Sequence, residues 1–413
     1  MSSSGGLVLS GVRVLDLSIN RAAPHCATMM AALGAEVIKV ESLKRIDAAR
    51  GKQAAADKRS SAMVTDPDKM EQSYAFHAIN AGKLGVRVNL KSPGARDVVR
   101  GLVEISDVVI EAFTPGVMEG LGLGFPEMRR WRADVIVLSL SGFGRGGPQS
   151  GYRAYAPIFA AAGGLSHVSG YRDGPPMEFI GSIDSAVGAH ALLAVLAALM
   201  ERDRTGRGQQ IDLSGSECVT ALLGGPVVDY ALHGLVPMRD GNRRPGMAPH
   251  NTYRCGGENE WISIAVAVDD EWQALCRVMG RPELAAHPSY RDAVGRKAHE
   301  RELDEIVGLW TASLTAYQAM ESLQAAGVAA VPSFRADQLF HDPHVRARGG
   351  WVTLQHPVQG ERHELRVPWR FAEGETTYRP APLMGQHEGY VFGELLGIEP
   401  VEMERLQAQR VVY

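Results

Sequence analysis

Cysteine is scarce in this sequence, and no two cysteines are close enough in the chain to form a CxxC pair. The four cysteines are Cys26, Cys218, Cys255 and Cys276. We expect them to be reduced thiols in buried or half-buried positions, as in a cytosolic protein. The thirteen histidines are scattered along the chain, so the sequence predicts no metal site.

Long apolar runs are also missing. No segment reaches the roughly 18 uninterrupted apolar residues of a membrane span. Residues 1–11 have neither a basic region nor an apolar stretch, which argues against a secretory signal. We therefore expect a cytoplasmic protein with no membrane partner. The net charge of −4 argues against a general nucleic-acid binder, although a local cation cluster can still hold a small anionic ligand.

What the sequence does contain is the composition of a globular protein. Of its 413 residues, 45% are hydrophobic and 22% charged, enough chain for two or three domains. Short apolar segments alternate with helix-like ones in the first third. The predicted strands cover residues 12–17, 37–40, 86–90, 108–112 and 135–140. This rhythm predicts a doubly wound α/β domain that binds ligands at the carboxyl ends of parallel strands.

Within that first third, two segments between strands are predicted differently. Residues 25–33 are expected to form a helix after a turn that contains Pro24. Residues 43–75 are polar without a period and predict a long surface loop.

The glycines at 142–147 match G-x-G-x-x-G, but they come late in the chain and run into Pro148 rather than opening a helix. We therefore predict a loop there, not a dinucleotide site.

One acidic residue stands out at the start of an apolar helix. Ser182 is predicted to cap this helix, and Asp184 falls in its first turn. Residues 186–200 are apolar on almost every face, which predicts a buried helix that ends at Gly206. Asp184 could simply interact with the helix dipole, worth about 0.3–1 kcal/mol. It could also be a nucleophilic carboxylate. The pattern alone does not choose between them.

Several segments together resemble the class III CoA-transferases, the family that includes formyl-CoA transferase, carnitine CoA-transferase and α-methylacyl-CoA racemase. The segments are GVRVLDLS (11–18), ALGAEVIKVES (32–42), VNLKSPGA (88–95), DVVIEAFTPGVMEGLGLGF (107–125), SLSGFGRGGP (139–148), ERDRTGRGQQIDLS (201–214), AGVAAVP (326–332) and RPAPLMGQHE (379–388). In that family one aspartate before a glycine and a long Ala/Leu helix carries the acyl group. Asp184 holds the matching position.

The resemblance also implies a coenzyme A site. The positions that match CoA contacts are Arg21, Ala22, Lys91, Phe113, Arg153 and Tyr155. Their chemistry fits, because phosphates prefer Arg or Lys and adenine prefers an apolar or aromatic face. The match is incomplete at Ser42, where relatives often have arginine or proline, and at Ala112, where they often have asparagine.

The domain organisation follows from composition and from the same resemblance. Residues 1–225 are predicted to be a large CoA-binding, Rossmann-like domain and 226–250 a linker. Residues 251–335 are predicted to be a smaller α/β domain, and 336–413 a segment that returns to the large domain. The resemblance further implies a homodimer with interlocked subunits.

The expected reaction is transfer of CoA from an acyl-CoA to a free carboxylic acid through aspartyl anhydride and aspartyl-CoA intermediates. An α-methylacyl-CoA racemase of the same family would need two acid/base groups on opposite faces of the substrate carbon. The racemase histidine is absent at 151–153, and only His167 or His190 could replace it. A third alternative is a non-catalytic CoA-binding member of the family.

Overall fold

The computed structural model describes residues 6–50, 67–179, 181–373 and 376–413. The chain forms two compact units. The large unit comprises residues 1–167, 177–237 and 348–413, and the small unit comprises 168–176 and 238–347. The small unit is thus inserted into the sequence of the large one.

The strands alternate with helices through the first half of the chain. The strands are β1 (Arg13–Asp16), β2 (Glu36–Glu41), β3 (Leu84–Arg87), β4 (Val108–Glu111), β5 (Ile136–Ser141), β6 (Gln210–Ser214), β7 (His250–Arg254), β8 (Trp261–Ala265), β9 (Ala329–Pro332), β10 (Trp351–His356) and β11 (Gly360–Leu365).

The helices before residue 240 are α1 (Ala22–Ala32), α2 (Pro67–Met70), α3 (Tyr74–Asn80), α4 (Ala95–Glu104), α5 (Val117–Gly120), α6 (Phe125–Trp131), α7 (Ala156–Ala162), α8 (Leu165–Val168), α9 (Ser182–Thr205), α10 (Gly215–Leu222) and α11 (Gly224–His233). Those after it are α12 (Asp269–Val278), α13 (Pro282–Ala285), α14 (Ala293–Ala298), α15 (Glu300–Thr311), α16 (Ala316–Ala325), α17 (Ala336–His341), α18 (Pro343–Ala347), a π-helix (Gly389–Leu395) and α19 (Pro400–Ala408).

A six-stranded parallel sheet forms the centre of the large unit, with strand order β3-β2-β1-β4-β5-β6. Strands β1, β2, β4 and β5 are almost wholly buried, as expected for a parallel sheet that is covered on both faces, whereas the edge strand β6 is mostly half-buried. The strand order reverses direction between β1 and β4, so a crevice opens there at the carboxyl ends of the strands. The predicted doubly wound α/β fold is confirmed.

Two helix starts differ from the sequence-based expectation. Helix α1 begins at Ala22 and includes Pro24. Proline is tolerated in the first helical turn because the backbone N–H that it lacks would have no partner within the helix. Helix α9 is preceded by Gly181, whose left-handed φ of 81° sets the turn, and Ser182 is its first helical residue. The predicted cap at Ser182 is therefore wrong, because glycine reaches this backbone conformation without steric cost.

Helix α9 is only partly buried, contrary to the prediction from its apolar sequence. It packs against α1 and β5, whereas Leu193 and Met200 are 67% and 74% exposed. By length and composition alone this helix could also span a membrane, but core helices of folded proteins often pass the same test. The predicted glycine cap at Gly206 is confirmed, with φ 70°.

The segment predicted as a surface loop, 43–75, also departs from expectation; its middle, 51–66, lies outside the described residues. Arg50 is buried, with Nε 2.7 Å from Oε1 of Glu41 and Nη1 2.7 Å from Oε2 of Glu71. Its guanidinium also lies 3.6 Å from the centre of the Phe76 ring. The polar composition predicted side chains exposed to solvent. Instead these charged groups are paired inside the unit, which is the usual condition for burying charge.

The small unit contains an antiparallel sheet of order β7-β8-β9. Its core includes Ile262, Trp272 and Leu303, contributed by β8, α12 and α15. The predicted linker 226–250 contains most of helix α11, which its Gly and Pro content had obscured. The small unit extends to residue 347, beyond the expected boundary at 335.

The last segment of the chain packs on the outer strand of the large sheet. Arg87 Nε lies 2.6 Å from Oε1 of Glu388, and the Asn89 N–H donates to the carbonyl of Val411 at 2.8 Å. A Cβ atom on Gly85 would come within 2.8 Å of the Leu383 carbonyl oxygen. Residues 348–413 therefore complete the same unit that begins the chain.

Candidate active site

A cavity of about 580 Å³, here called the Asp184 cavity, lies at the carboxyl ends of the central strands of the large sheet. Its wall takes residues from the segments that follow β1, β4 and β5, which places it at the reversal of strand order. Its lining residues include Asn20, Arg21, Ala22, Tyr74, Ile79, Tyr155, Gly181 and Asp184. A parallel α/β sheet binds ligands at this point.

Asp184 enters this cavity from the first turn of α9. It is the third residue of a 24-residue helix, so it lies at the positive end of the helix dipole. No side chain caps this helix start. The half-buried carboxylate therefore faces a cavity in an electropositive setting.

Arg21 faces the same cavity from the turn between β1 and α1. Its guanidinium carbon lies 3.9 Å from the position a Cβ atom would take on Gly181. Its Nε atom is buried and has no hydrogen-bond partner within the described ranges. Asn20, the preceding residue, has a left-handed φ of 70°, which turns the chain sharply into α1. A cation and a carboxylate thus line one wall of the cavity.

A buried ionic network holds this turn in place. Lys83 Nζ lies 2.8 Å from Oδ2 of Asp16 and also donates to the carbonyl of Pro24 in α1. Lys39 lies 3.6 Å from Oδ2 of Asp47, and Oδ1 of Asp47 accepts the Asn20 N–H at 3.1 Å. The network therefore ties the turn before Arg21 to β1, to β2 and to the residue that precedes β3.

The pKa values in this network reflect its burial and its opposite charges. Burial alone would raise the pKa of Asp16, but Lys39 and Lys83 outweigh it and hold the pKa below its ordinary value. Burial lowers the pKa of Lys83 to about 8, although Asp16 opposes the shift. At neutral pH both partners remain charged, so the network stays ionic.

Close packing of α1 on α9 sets the spacing between Arg21 and Asp184. A Cβ atom on Gly188 would lie 2.7 Å from the carbonyl oxygen of Ala22 and 3.1 Å from Cδ2 of His25. We expect Gly188→Val to push the helices apart, lowering the free energy of unfolding by about 1–3 kcal/mol. Activity should fall about 10–100-fold, because small misplacements near the reacting groups are costly. An enzyme assay measures the activity, and urea unfolding measures the free energy of unfolding.

The matched control is Ala197→Val, at an exposed position of the same helix. It introduces the same side chain and should leave the activity within about twofold, since a surface substitution usually changes stability by at most about 0.5 kcal/mol. Wild-type activity in Gly188→Val would show that the spacing of the two helices does not matter.

His25 gives the site a measurable pH dependence of stability. Burial, with Arg21 and Lys83 nearby, lowers its pKa from 6.5 to about 4. Between those values the unfolded chain binds a proton that the folded chain does not, so the free energy of unfolding falls as pH falls. From pH 7 to pH 4.5, His25→Gln should lose about 2 kcal/mol less stability than the wild type in urea titrations.

The exposed His233 provides the comparison. His233→Gln replaces a solvent-exposed side chain away from the site and should follow the wild-type pH profile within about 0.5 kcal/mol. If His25→Gln instead lost the same stability on acidification as the wild type, the inference of a neutral His25 would be wrong.

The structure brings together only some of the residues matched to CoA contacts. Arg21, Ala22 and Tyr155 line the Asp184 cavity, and the Tyr155 side chain is 69% exposed. Lys91, Phe113 and Arg153 are not among its lining residues. Lys91 follows β3 and Phe113 follows β4, so both lie at the same edge of the sheet, whereas Arg153 is exposed in the loop before α7.

Sequence reasoning missed two cations that follow β2. The Arg45 guanidinium lies 6.0 Å from the centre of the Phe113 ring, and Lys44 Nζ lies 5.5 Å from the Tyr413 ring. Each pair joins a positive charge to an aromatic face. Their position just after a parallel strand is the signal in the sequence that could have identified them.

The described part of the chain gives less support to metal binding or to histidine acid/base chemistry. It holds no group of three or more His, Cys, Asp or Glu side chains placed to share a metal ion. No histidine lines the described Asp184 cavity. The ring Nδ1 of His190 is 2.9 Å from the Ala186 carbonyl oxygen, and His167 lies in the short helix α8. The four cysteines are free and buried, as predicted.

The chain combines a doubly wound sheet, a cavity at its switch point and an inserted α/β unit. The chain matches the model of CoA-transferase family III over residues 9–388 and belongs to that family. A CaiB/BaiF family protein from Brucella suis has a similar structure, with a TM-score of 0.83 and 28% identity over 94% of this chain and 99% of that one.

Among named relatives, the chain is 32% identical to the succinyl-CoA–D-citramalate CoA-transferase of Chloroflexus aurantiacus, covering 98% of each chain. It is 28% identical to the formyl-CoA:oxalate CoA-transferase of Streptomyces coelicolor, covering 98% of this chain and 99% of that one. The protein is thus an enzyme of the CoA-transferase class, with CoA thioesters as co-substrates. The racemase alternative is not favoured.

Proposed function

We propose that this enzyme moves CoA from an acyl-CoA to a free carboxylic acid, with Asp184 as the nucleophile. The observation that carries the proposal is the position of Asp184, which faces the switch-point cavity from the first turn of α9. That position supplies a carboxylate, a nearby cation in Arg21 and the positive end of a helix dipole.

The reaction proceeds in four exchanges. An Asp184 oxygen attacks the thioester carbonyl, and the C–S bond breaks to give a mixed anhydride and CoA thiolate. The thiolate attacks the aspartyl carbonyl and releases the first carboxylic acid. The acceptor carboxylate then attacks this aspartyl-CoA thioester, forming a second anhydride and thiolate again. Thiolate attack on the acyl carbonyl yields the new acyl-CoA and restores Asp184.

Two features of the site support this sequence of steps. Negative charge develops on the carbonyl oxygen during each attack, and the α9 N-terminus and Arg21 can stabilise it. The thiolate must stay beside the anhydride, since holding it there makes its return effectively intramolecular. In this proposal the bound acyl-CoA fills the cavity and keeps water, which would hydrolyse the anhydride, away from Asp184.

We place coenzyme A along the carboxyl edge of the sheet, with its sulfur at Asp184. In this proposal Arg21, Ala22 and Tyr155 contact the end near the thioester. Lys91, Phe113 and Arg153 remain proposed contacts for the rest of CoA, joined by Lys44 and Arg45. The cation–aromatic pair of Arg45 and Phe113 supports an adenosine phosphate at this edge.

We also propose that two copies of the chain associate. A group of large apolar side chains on α10, α11 and the following residues is exposed. Its members are Leu222, Val227, Val228, Tyr230, Leu232, Leu235 and Val236. Contiguous exposed apolar surface of this kind usually marks an interaction site. Sedimentation equilibrium should give twice the monomer mass. A monomer mass at micromolar concentration would contradict the proposal that two copies associate.

Trapping with hydroxylamine tests the assignment of Asp184. Incubation of the enzyme with acyl-CoA and hydroxylamine should convert the activated Asp184 carboxyl to a hydroxamate, which peptide mass spectrometry locates. The modification should require the thioester and be absent with free CoA. Turnover without any modification of Asp184 would overturn the proposed mechanism.

A further inference from the structure

A second cavity of about 560 Å³ lies in the large unit, on the other side of Arg21 from the Asp184 cavity. We call it the α1 groove, because one wall is a single face of helix α1. The residues of that face are Arg21, His25, Thr28, Met29 and Ala32. Residues three, four or seven apart share one face of a helix, so the groove follows α1 for about 16 Å.

The opposite walls of the α1 groove are mostly apolar. Helix α9 contributes Ala189, helix α3 contributes Ala78 and Ile79, and the chain after β11 contributes Val367 and Trp369. An elongated apolar body therefore fits between these walls better than a small, strongly hydrated acid does.

Besides Arg21, the charged side chains Arg362, Glu364 and Arg366 line the groove. Arg362 Nε lies 3.2 Å from Oε1 of Glu364, so these two charges offset each other. His25 is neutral at pH 7, because burial lowers its pKa to about 4. Arg366 donates to Thr376, beside the end of α1 where the Thr377 N–H donates to the Ala32 carbonyl. Arg21 thus stands alone as the cation at the other end.

Arg21 is also where the groove meets the Asp184 cavity. Arg21, Tyr74 and Ile79 line both spaces. Asp184 lines one space and its neighbour Ser185 lines the other. A carboxylate held at Arg21 would therefore sit beside the Asp184 nucleophile while the rest of the molecule extends along α1.

We propose that the α1 groove binds the body of the acid being exchanged, and that this acid is a carboxylic acid with an extended apolar body, its carboxylate at Arg21. This inference rests on the proposed transferase function and specifies its substrate class. The short acids that relatives are named for, oxalate and citramalate, would leave most of the groove unfilled.

A chain-length series tests the substrate class. With acetyl-CoA and succinyl-CoA as donors, acetate, butyrate, hexanoate and octanoate are compared with oxalate and succinate as acceptors. Each methylene that is buried can raise kcat/KM up to about fourfold. We expect octanoate to exceed acetate, oxalate and succinate by at least about tenfold, measured as new acyl-CoA by mass spectrometry.

Two matched variants on helix α9 test whether the α1 groove causes the expected preference for longer acids. Ala189→Phe places a ring in the groove and should lower kcat/KM for octanoate at least about tenfold relative to butyrate. Ala197→Phe puts the same ring on an exposed position outside the groove and should leave that ratio within about twofold. An unchanged ratio in Ala189→Phe, with the protein folded by circular dichroism, would overturn the assignment of the groove.

The outcomes separate the two proposals. A hydroxamate on Asp184 together with a preference for oxalate or succinate would leave the transferase mechanism standing and refute the apolar substrate class. No transfer to any acid, with no hydroxamate from any donor, would refute both.

Discussion

Asp184→Ala should lose at least about 10⁴-fold in kcat, the largest effect that we expect from any single substitution. Removal of a covalent nucleophile leaves only binding and electrostatic stabilisation of the transition state. Stability should change little, because an acid in the first turn of a helix contributes about 0.3–1 kcal/mol. Steady-state assay of CoA transfer and thermal unfolding measure the two effects separately.

Asp203→Ala is the control for this substitution. Asp203 is exposed in the last turn of the same helix, where an acid has no role in the proposed chemistry. Its activity should match the wild type. If Asp184→Ala transferred CoA at a comparable rate, Asp184 would be a helix-dipole residue and the nucleophile would lie elsewhere.

Lys83→Met should cause the largest loss of stability, about 3–5 kcal/mol, because it leaves the carboxylate of Asp16 buried without its 2.8 Å partner. That loss corresponds to a fall in Tm on the order of 10 °C. Activity should decline as well, since the Lys83 ammonium also holds the carbonyl of Pro24 in the first turn of α1. Calorimetry and guanidinium titration measure the stability.

Restoring charge balance provides the control for Lys83. The double variant Asp16→Asn with Lys83→Met should be less destabilised than the sum of the single variants, since it buries no unpaired charge. The exposed pair Arg204 and Glu201 offers a second comparison. Arg204→Met should cost at most about 0.5 kcal/mol. Strict additivity at Asp16 and Lys83 would contradict the coupling inferred from their distance.

The fold of the large unit was predictable because its buried strands are recognisable in the sequence as short apolar segments. Strands such as β4 and β5 are nearly continuous apolar runs, and the βα alternation limits them to a parallel sheet. Asp184 was predictable as a candidate because it is an isolated acid before an apolar helix. Its nucleophilic role came from family resemblance, since the pattern fits a helix-capping acid equally well.

The remaining features depend on contacts between distant parts of the chain. Arg50 looked like a solvent-exposed charge until its pairing with Glu41 and Glu71 was visible. The groove along α1 needs side chains from α3, α9 and the segment after β11, which no local pattern connects. The cytoplasmic location remains a prediction from sequence.

The return of residues 348–413 to the outer sheet strand has a consequence for how the protein is made on the ribosome. Strand β3 and the residues just after it obtain their contacts with Leu383, Glu388 and Val411 only after nearly the whole chain has been translated. The inserted small unit can therefore finish folding before the unit that contains the N-terminus. Nascent chains that stall before residue 383 would expose one edge of the main sheet, the kind of surface that chaperones recognise.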